Sequence, residues 1–201
     1  MTTERTGILL LVSGPSGSGK TTLCRRLADE DEAIYSTSCT TRPSRKGERD
    51  GHDYHFLTRE TFEQKVTNGE FLEYAEVHGN LYGTLKTEVL DHLAKGIDVV
   101  MDIDVQGAAQ VRSCADTSIK AALVDVFVMP HTEDELLKRL TGRGSDSQDV
   151  IALRMKNALG EISHCPNNTY RLLSDTREQD YHQFKSLIIA ERLKISRLEK
   201  P

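Results

Sequence analysis

The sequence contains no tryptophan, has only 5% aromatic residues, and has no apolar run near the ~20 residues a membrane-spanning helix needs. Its apolar run near the N-terminus, residues 8–12 (Ile-Leu-Leu-Leu-Val), is the length of a strand and lacks the flanks of a cleaved signal, so neither membrane residence nor export is expected. An excess of positive charge is missing as well. A net charge of -5 leaves no basic stripe to replace the counterions of a nucleic acid, so any positive field must be local. The four cysteines, Cys24, Cys39, Cys114 and Cys165, form no C-x-x-C pair, which removes a zinc knuckle or a disulfide framework and points to reduced thiols in the cytoplasm. His52-x-x-His55 has no cysteine or third histidine close in sequence and reads as a solvated loop rather than half a metal site. The Asn167-Asn168-Thr169 tripeptide has the form of a glycosylation acceptor, but no secretory signal accompanies it.

What is present suits an enzyme. The 201 residues are enough for one well-buried core with one or two small inserted lobes. Residues 8–13, 97–103, 121–129 and 170–173 read as buried parallel strands, and helical patterns lie between and after them, as in a doubly wound α/β sheet. The last helix is marked by Tyr181, Phe184, Leu187, Ile188 and Leu193 near helical spacing. Residues 36–95 read differently, with β-compatible stretches at 37–41, 52–57, 71–77 and 80–83 around a helix at 58–68, and are expected to form an inserted lobe. The polar stretch at 141–147 interrupts two helical patterns and is expected to be the tip of a lid.

Residues 14–21, Gly-Pro-Ser-Gly-Ser-Gly-Lys-Thr, fit G-x-x-x-x-G-K-[ST] and follow the first strand directly. Gly17 and Gly19 can adopt backbone angles that turn successive N–H groups toward a polyphosphate. Lys20 adds positive charge near the terminal phosphates, and the Thr21 hydroxyl suits Mg²⁺. Such a loop predicts a bound nucleoside triphosphate, but leaves open whether its γ-phosphoryl goes to water, a sugar, a nucleotide or a protein. In the inserted lobe, Arg42 and Arg45 lie three positions apart, followed by Tyr54 and Tyr82-Gly83-Thr84, a set able to clasp a second phosphate. Taken alone, these arginines read as a solvated charged loop, Glu73 as a surface carboxylate, Thr84 as a strand-end residue and Arg154 as helix-surface charge.

Taken together, the motifs resemble the guanylate kinase family through nearly the whole chain. They are the phosphate loop, Thr40-Thr41-Arg42 with Arg45 and Gly47-Glu48, and the run from Gly51 to Phe56. They continue with Gly69-Glu70-Phe71-Leu72-Glu73-Tyr74-Ala75, the run from Gly79 to Thr84, Asp102-Ile103-Asp104-Val105-Gln106-Gly107, and Leu137-Lys138-Arg139-Leu140 with Gly142-Arg143-Gly144. The resemblance implies a P-loop NTPase-type three-layer α/β/α fold with a mainly parallel sheet, an inserted mixed β/α GMP-binding lobe and a helical lid. The whole chain is then one domain, with core 5–35, 96–132 and 158–201, lobe 36–95 and lid 133–157.

The implied reaction is transfer of the γ-phosphoryl of MgATP to GMP, and to dGMP, giving ADP and GDP. By resemblance, Gly14, Pro15, Ser16, Gly17, Ser18, Gly19, Lys20, Thr21 and Thr22 bind ATP. Glu73 and Asp104 take the N1–H and N2–H edge of guanine, while Ser38 and Thr84 address its O6, a pattern that adenine cannot reciprocate. Arg42, Arg45, Tyr54 and Tyr82 hold the GMP phosphate. Lys20, Arg42, Arg139, Arg143 and Arg154 form the catalytic set, the last three approaching the transferring phosphoryl as the lid closes. Thr21, and Asp102 through water, are the implied metal ligands.

The chain departs from the family pattern at two points. Ser174-Asp175 stands where an Asn-Asp pair is common near the adenine of ATP, and Pro43-Ser44 puts a proline one residue early. Three other functions compete. Asp104-x-x-Gly107 matches a GTPase switch motif, but no N-K-x-D follows it. A guanylate-kinase-like scaffold that binds protein without catalysis would be marked by a damaged loop or lid, whereas Lys20, Thr21 and the lid arginines are all present. A P-loop kinase for another small phosphate acceptor is the remaining alternative.

Overall fold

The computed structural model describes residues 5–141 and 148–198. In chain order its elements are β1 (Leu9–Ser13), α1 (Lys20–Asp29), β2 (Ile34–Tyr35), β3 (Cys39–Thr40), β4 (His55–Phe56), α2 (Arg59–Thr67), β5 (Phe71–Val77), β6 (Asn80–Leu85) and α3 (Thr87–Leu93). There follow β7 (Val99–Asp102), α4 (Val105–Ser113), α5 (Thr117–Ala122), β8 (Leu123–Pro130), α6 (Glu133–Thr141), α7 (Gln148–Ile162), β9 (Tyr170–Ser174) and α8 (Arg177–Arg192).

Among the described residues the main sheet has strand order β2-β7-β1-β8-β9, with every pairing parallel. The apolar run at residues 8–12 sends alternate side chains to opposite faces, because a strand has a two-residue period. Ile8, Leu10 and Val12 pack with Leu23 and Leu27 of α1 and with Phe184 and Ile188 of α8, while Leu9 and Leu11 meet Val89 and Leu93 of α3, Val111 of α4 and Ile119 of α5. Helices on both faces of a parallel sheet make the three-layer α/β/α fold. The second sheet, β4-β3-β6-β5, is mixed, and covers its own small cluster of Cys39, Phe62, Phe71 and Leu81. There Phe62 and Phe71 stack at 4.2 Å between ring centroids.

Several boundaries differ from the sequence pattern for identifiable reasons. The strand expected at 121–129 begins only at Leu123, because Asp116 accepts hydrogen bonds from the Ser118 and Ile119 amides and so caps the short helix α5. β2 is only two residues long, too short to show alternation in sequence, and its pairing to Val99 and Val100 of β7 creates it. Leu193, expected on the last helix's buried stripe, is the C-cap of α8 and 74% exposed. The helix expected at 58–68 is α2 with its two caps, Thr58 accepting from the Thr61 amide. α6 and α7 pack through Leu136, Leu140 and Ala158; of the lid tip expected at 141–147, Thr141 is the last residue of α6, and 142–147, with Arg143, lie outside the described residues. Among the described residues no helix is long and apolar enough to cross a membrane.

Candidate active site

The site is built at the carboxyl ends of β1 and β7, which are neighbours with β8 on the other side of β1. Chains leaving such adjacent parallel strands in different directions open a crevice there. The loop after β1 runs directly into α1. Gly17 and Gly19 take φ of 83° and 99°, a region that residues with a Cβ rarely adopt. Gly19 is also the N-cap of α1 and supplies no side-chain cap, so the helix presents uncapped amides beside the loop. Lys20 folds back over this loop, its ammonium donating to the Gly14 carbonyl at 2.7 Å and to the Pro15 carbonyl at 3.0 Å.

Next to it, Thr21 Oγ1 donates to Asp102 Oδ2 at 2.5 Å. Asp102 ends β7, and burial raises its carboxyl above the usual range against the opposing pull of Thr21 and Lys20. A hydroxyl and a carboxylate side by side beside a phosphate loop are hard oxygen donors, and they fit a hydrated Mg²⁺.

The second sheet faces the carboxyl end of β7 across two adjoining cavities of about 300 and 260 Å³, both lined by Ser38, Tyr54, Asp102 and Ile103. The first is also lined by Arg42, Arg45 and Thr84, the second by Glu73, Tyr82 and Asp104. The tertiary structure thus gathers into one region every residue expected at the acceptor nucleotide, although they span residues 38–104 of the chain.

At the inner end, Thr84 Oγ1 donates to Glu73 Oε1 at 2.8 Å, and the Ser38 hydroxyl lies 3.3 Å from that of Thr84. Glu73 is buried, and burial pushes its carboxyl up to about 7, with Thr84 pulling down and Asp104 pushing up. Asp104 is the N-cap of α4, accepting from the Gln106 and Gly107 amides at 2.9 and 2.8 Å. At the outer end, Arg42 makes a two-pronged pair with Glu48 at 2.7 and 2.8 Å and lies over the Tyr54 ring. Glu48 raises the Arg42 pKa, and Arg42 in turn holds the Glu48 carboxyl down at about 2. Tyr54 and Tyr82 meet edge to face at 6.1 Å.

A third cavity, about 550 Å³, lies on the other side of the loop against Gly17, Gly19, Thr22, Arg139, Ser174 and Asp180. Arg139 donates to the Ser174 hydroxyl at 2.8 Å and to the Ser174 carbonyl at 3.1 Å. In this state Arg139 therefore stands beside the loop on the side away from the acceptor cavities. Arg154 is half-buried on α7.

Some neighbours of the site escaped the sequence pattern. Glu48 stands in a quoted motif, but its pairing to Arg42 depends on how the loop turns. Gly107 lies against Glu73, where a Cβ would sit 3.1 Å from Glu73 Oε2. Glu161 of α7 accepts from the Ser16 amide at 3.3 Å. Asp180 carried a usable signal, since it falls four residues before Phe184 on the buried stripe of α8, where a carboxylate is out of place.

A guanylate kinase family model matches residues 6–191. The chain is 46% identical over 192 residues to the guanylate kinase of Sphingopyxis alaskensis, covering 95% of this chain and 86% of that protein. It is 43% identical over 197 residues to the guanylate kinase of Syntrophotalea carbinolica, covering 97% of this chain and 91% of the other. The crystal structure of guanylate kinase from Anaplasma phagocytophilum superposes with a TM-score of 0.76 at 31% identity, over 98% of this chain and 93% of that one.

Proposed function

The chain belongs to the guanylate kinase family and transfers the γ-phosphoryl of ATP to GMP, and from that premise we propose how its residues divide the work. The observation that carries the reading is the chain of half-buried Ser38, buried Thr84 and buried Glu73, which lies in the cavities beside Asp102 at the end of β7. An ionised Glu73, with Asp104 beside it, accepts from the N1–H and N2–H donors of guanine, and the Ser38 and Thr84 hydroxyls serve O6. Adenine in the same place would strand those buried groups.

Arg42 and Arg45, with Tyr54 and Tyr82, grip the acceptor phosphate. Arg42 exchanges part of its pairing with Glu48 for phosphate oxygens, which match the same planar fork. On the opposite side, the amides of residues 14–22 cradle the donor phosphates, and Lys20 turns from the Gly14 and Pro15 carbonyls to the terminal phosphates. Thr21, and Asp102 through water, would hold Mg²⁺, which would supply positive charge to offset that of the donor phosphates. Arg139, Arg143 and Arg154 supply further positive charge to the transferring group. No protein nucleophile is needed, because in-line placement and charge stabilisation carry phosphoryl transfer. The division into core, a GMP-binding lobe at 36–95 and a lid at 133–157 follows from these roles, and the unpaired thiols suit a reducing cytoplasm.

An acceptor screen tests the reading. With MgATP, kcat/KM for GMP should exceed that for AMP by roughly 10⁴ or more, and UMP and sugar phosphates should be poor acceptors. Comparable turnover of AMP and GMP would defeat the assignment of Glu73 and Thr84. The protein-binding scaffold reading predicts tight peptide binding without GDP formation, and relatives bearing the enzyme's name over nearly the whole chain do not favour it.

A further inference from the structure

Ser174, the last residue of β9, is nearly inaccessible, yet it carries a chain of polar contacts into the cavity beside the phosphate loop. Its hydroxyl lies 2.6 Å from Asp180 Oδ2. An ionised carboxylate can only accept, so the serine proton is committed to Asp180. A lone pair of the same oxygen then meets Arg139 Nη1 at 2.8 Å, and the Ser174 carbonyl takes Nη2 at 3.1 Å. Asp180 itself lies in the first turn of α8, 7% exposed, and its other oxygen accepts from the Asp175 amide at 2.7 Å. The direction of the chain is therefore set, from buried carboxylate to hydroxyl to guanidinium.

The cavity that receives this guanidinium is also walled by the glycines of the loop. A Cβ on Gly17 would stand 3.8 Å from Arg139 Cβ, and one on Gly19 would stand 3.9 Å from Ser174 Oγ. Arg139 also reaches toward the Ser18 carbonyl at 3.5 Å. A long flexible cation held at two nitrogens has lost most of its rotamer freedom before any ligand arrives. The carboxylate polarises the hydroxyl that holds it, and neighbouring hydrogen bonds of this kind strengthen one another. Ser174 has no proton left for a ligand, so its influence on one passes through Arg139.

We propose that Asp180 is a positioning residue for the donor nucleotide, acting through Ser174 to hold the Arg139 guanidinium against the phosphate loop. This gives the Ser174-Asp175 departure a physical content, in which the anchoring group at this strand end is assembled from a serine and a carboxylate six residues later. The inference rests on reading the cavity beside Gly17 and Gly19 as the donor site.

Steady-state kinetics with MgATP and GMP each varied, on full-length Ser174→Ala, Asp180→Asn, their double variant and Arg139→Ala, provide the test. Each of the first two should raise KM for MgATP roughly tenfold, the effect of one charge-assisted hydrogen bond lost, and leave KM for GMP within about twofold. The double variant should be no worse than the weaker-binding single variant, because both break one chain. An unchanged KM for MgATP in Ser174→Ala overturns the inference, and so do multiplicative losses in the double variant. Ser174→Ala removes a single oxygen and decides the matter alone if Asp180→Asn does not fold. If Arg139→Ala raises KM for MgATP while Ser174→Ala does not, the donor site stands and the positioning role falls. A rise in KM for GMP in place of that for MgATP overturns both.

Discussion

Glu73 and Thr84 face each other across the antiparallel β5–β6 ladder, and the Thr84 hydroxyl donates to Glu73 Oε1 at 2.8 Å. A register shift between Phe71 and Glu73 brings this about, since Phe71 pairs with Leu85 while Glu73, two residues on, pairs with Thr84. Such an irregularity re-aims a side chain that regular pairing would place one residue away. Here it puts a carboxylate and a hydroxyl together in a buried place, and the chemistry of the acceptor pocket follows from that pairing.

The folded protein should carry a pH-dependent cost at Glu73. Burial raises its carboxyl from 4.5 to about 7, so below 4.5 it is neutral in both folded and unfolded chains. Between 4.5 and 7 the unfolded chain gives up this proton and the folded chain keeps it, so stability falls as pH rises through that window and stays lower above it. Over the whole window the loss is on the order of 3 kcal/mol. Urea denaturation of the ligand-free protein at pH 5 and pH 8 should show Glu73→Gln losing less stability between the two than the parent. Equal losses would mean that Glu73 titrates normally.

GMP binding should release a proton near neutral pH. Guanine's two donors need the ionised carboxylate, so below about 7 the ligand must first displace the proton that burial keeps on Glu73. Calorimetry at pH 6.5 in two buffers of different ionisation enthalpy measures this release, and Glu73→Gln should lack its share. The second ionisation of the GMP phosphate is common to both proteins and cancels in the comparison. Identical proton counts for parent and variant would exclude Glu73 as the titrating group.

Gly107→Ala should separate stability from acceptor binding. Gly107 is the third residue of α4, and there alanine is the better helix former by up to about 1 kcal/mol. The new methyl would, however, sit 3.1 Å from Glu73 Oε2 and 3.3 Å from Ile103 Cδ1, pressing on the carboxylate that receives guanine. KM for GMP is expected to rise roughly tenfold or more, as a small misplacement at a site can cost 10²-fold, with KM for MgATP unchanged. Thermal melting should show no large loss. An unchanged KM for GMP would show that Glu73 has room to retreat.

Glu48→Gln tests whether the loop between the two arginines is organised before GMP arrives. Glu48 takes both Arg42 guanidinium nitrogens and also accepts from the Arg45 amide at 2.7 Å, so one carboxylate ties together both arginine positions. Without it the loop loses its register, and KM for GMP should rise by roughly threefold to tenfold while kcat at saturating GMP changes little. A fall in KM would mean that Glu48 mainly competes with the acceptor phosphate for Arg42.

The parts of the molecule that could be read in advance are those whose determinants are neighbours in the chain. Residues 14–21 announce a phosphate loop because a tight turn, a lysine and a hydroxyl are all encoded in eight consecutive positions. The Ile8 to Val12 run is apolar because both faces of its strand are covered, and Thr58 starts α2 through the Thr61 amide three residues on. The family motifs likewise pointed to Arg42, Glu73 and Thr84, although none of them stands out alone.

The remaining features depend on groups far apart in the chain. Residues 34–35 are a strand because β7 runs beside them, and Leu193 is exposed because α8 ends at Arg192. Glu73 looks like any surface glutamate until Thr84 and Gly107 close around it. The pull of burial on its proton follows from that enclosure, and no local pattern encodes it. Asp180, Ser174 and Arg139 come from a helix, a strand end and the helical segment after β8, and they meet only once the sheet is stacked. The phosphate loop, the layered fold and the family are written in short stretches of the chain. Folding determined which charges are paired, which are desolvated and which way each hydrogen bond points, because those properties depend on distance in space rather than distance along the chain.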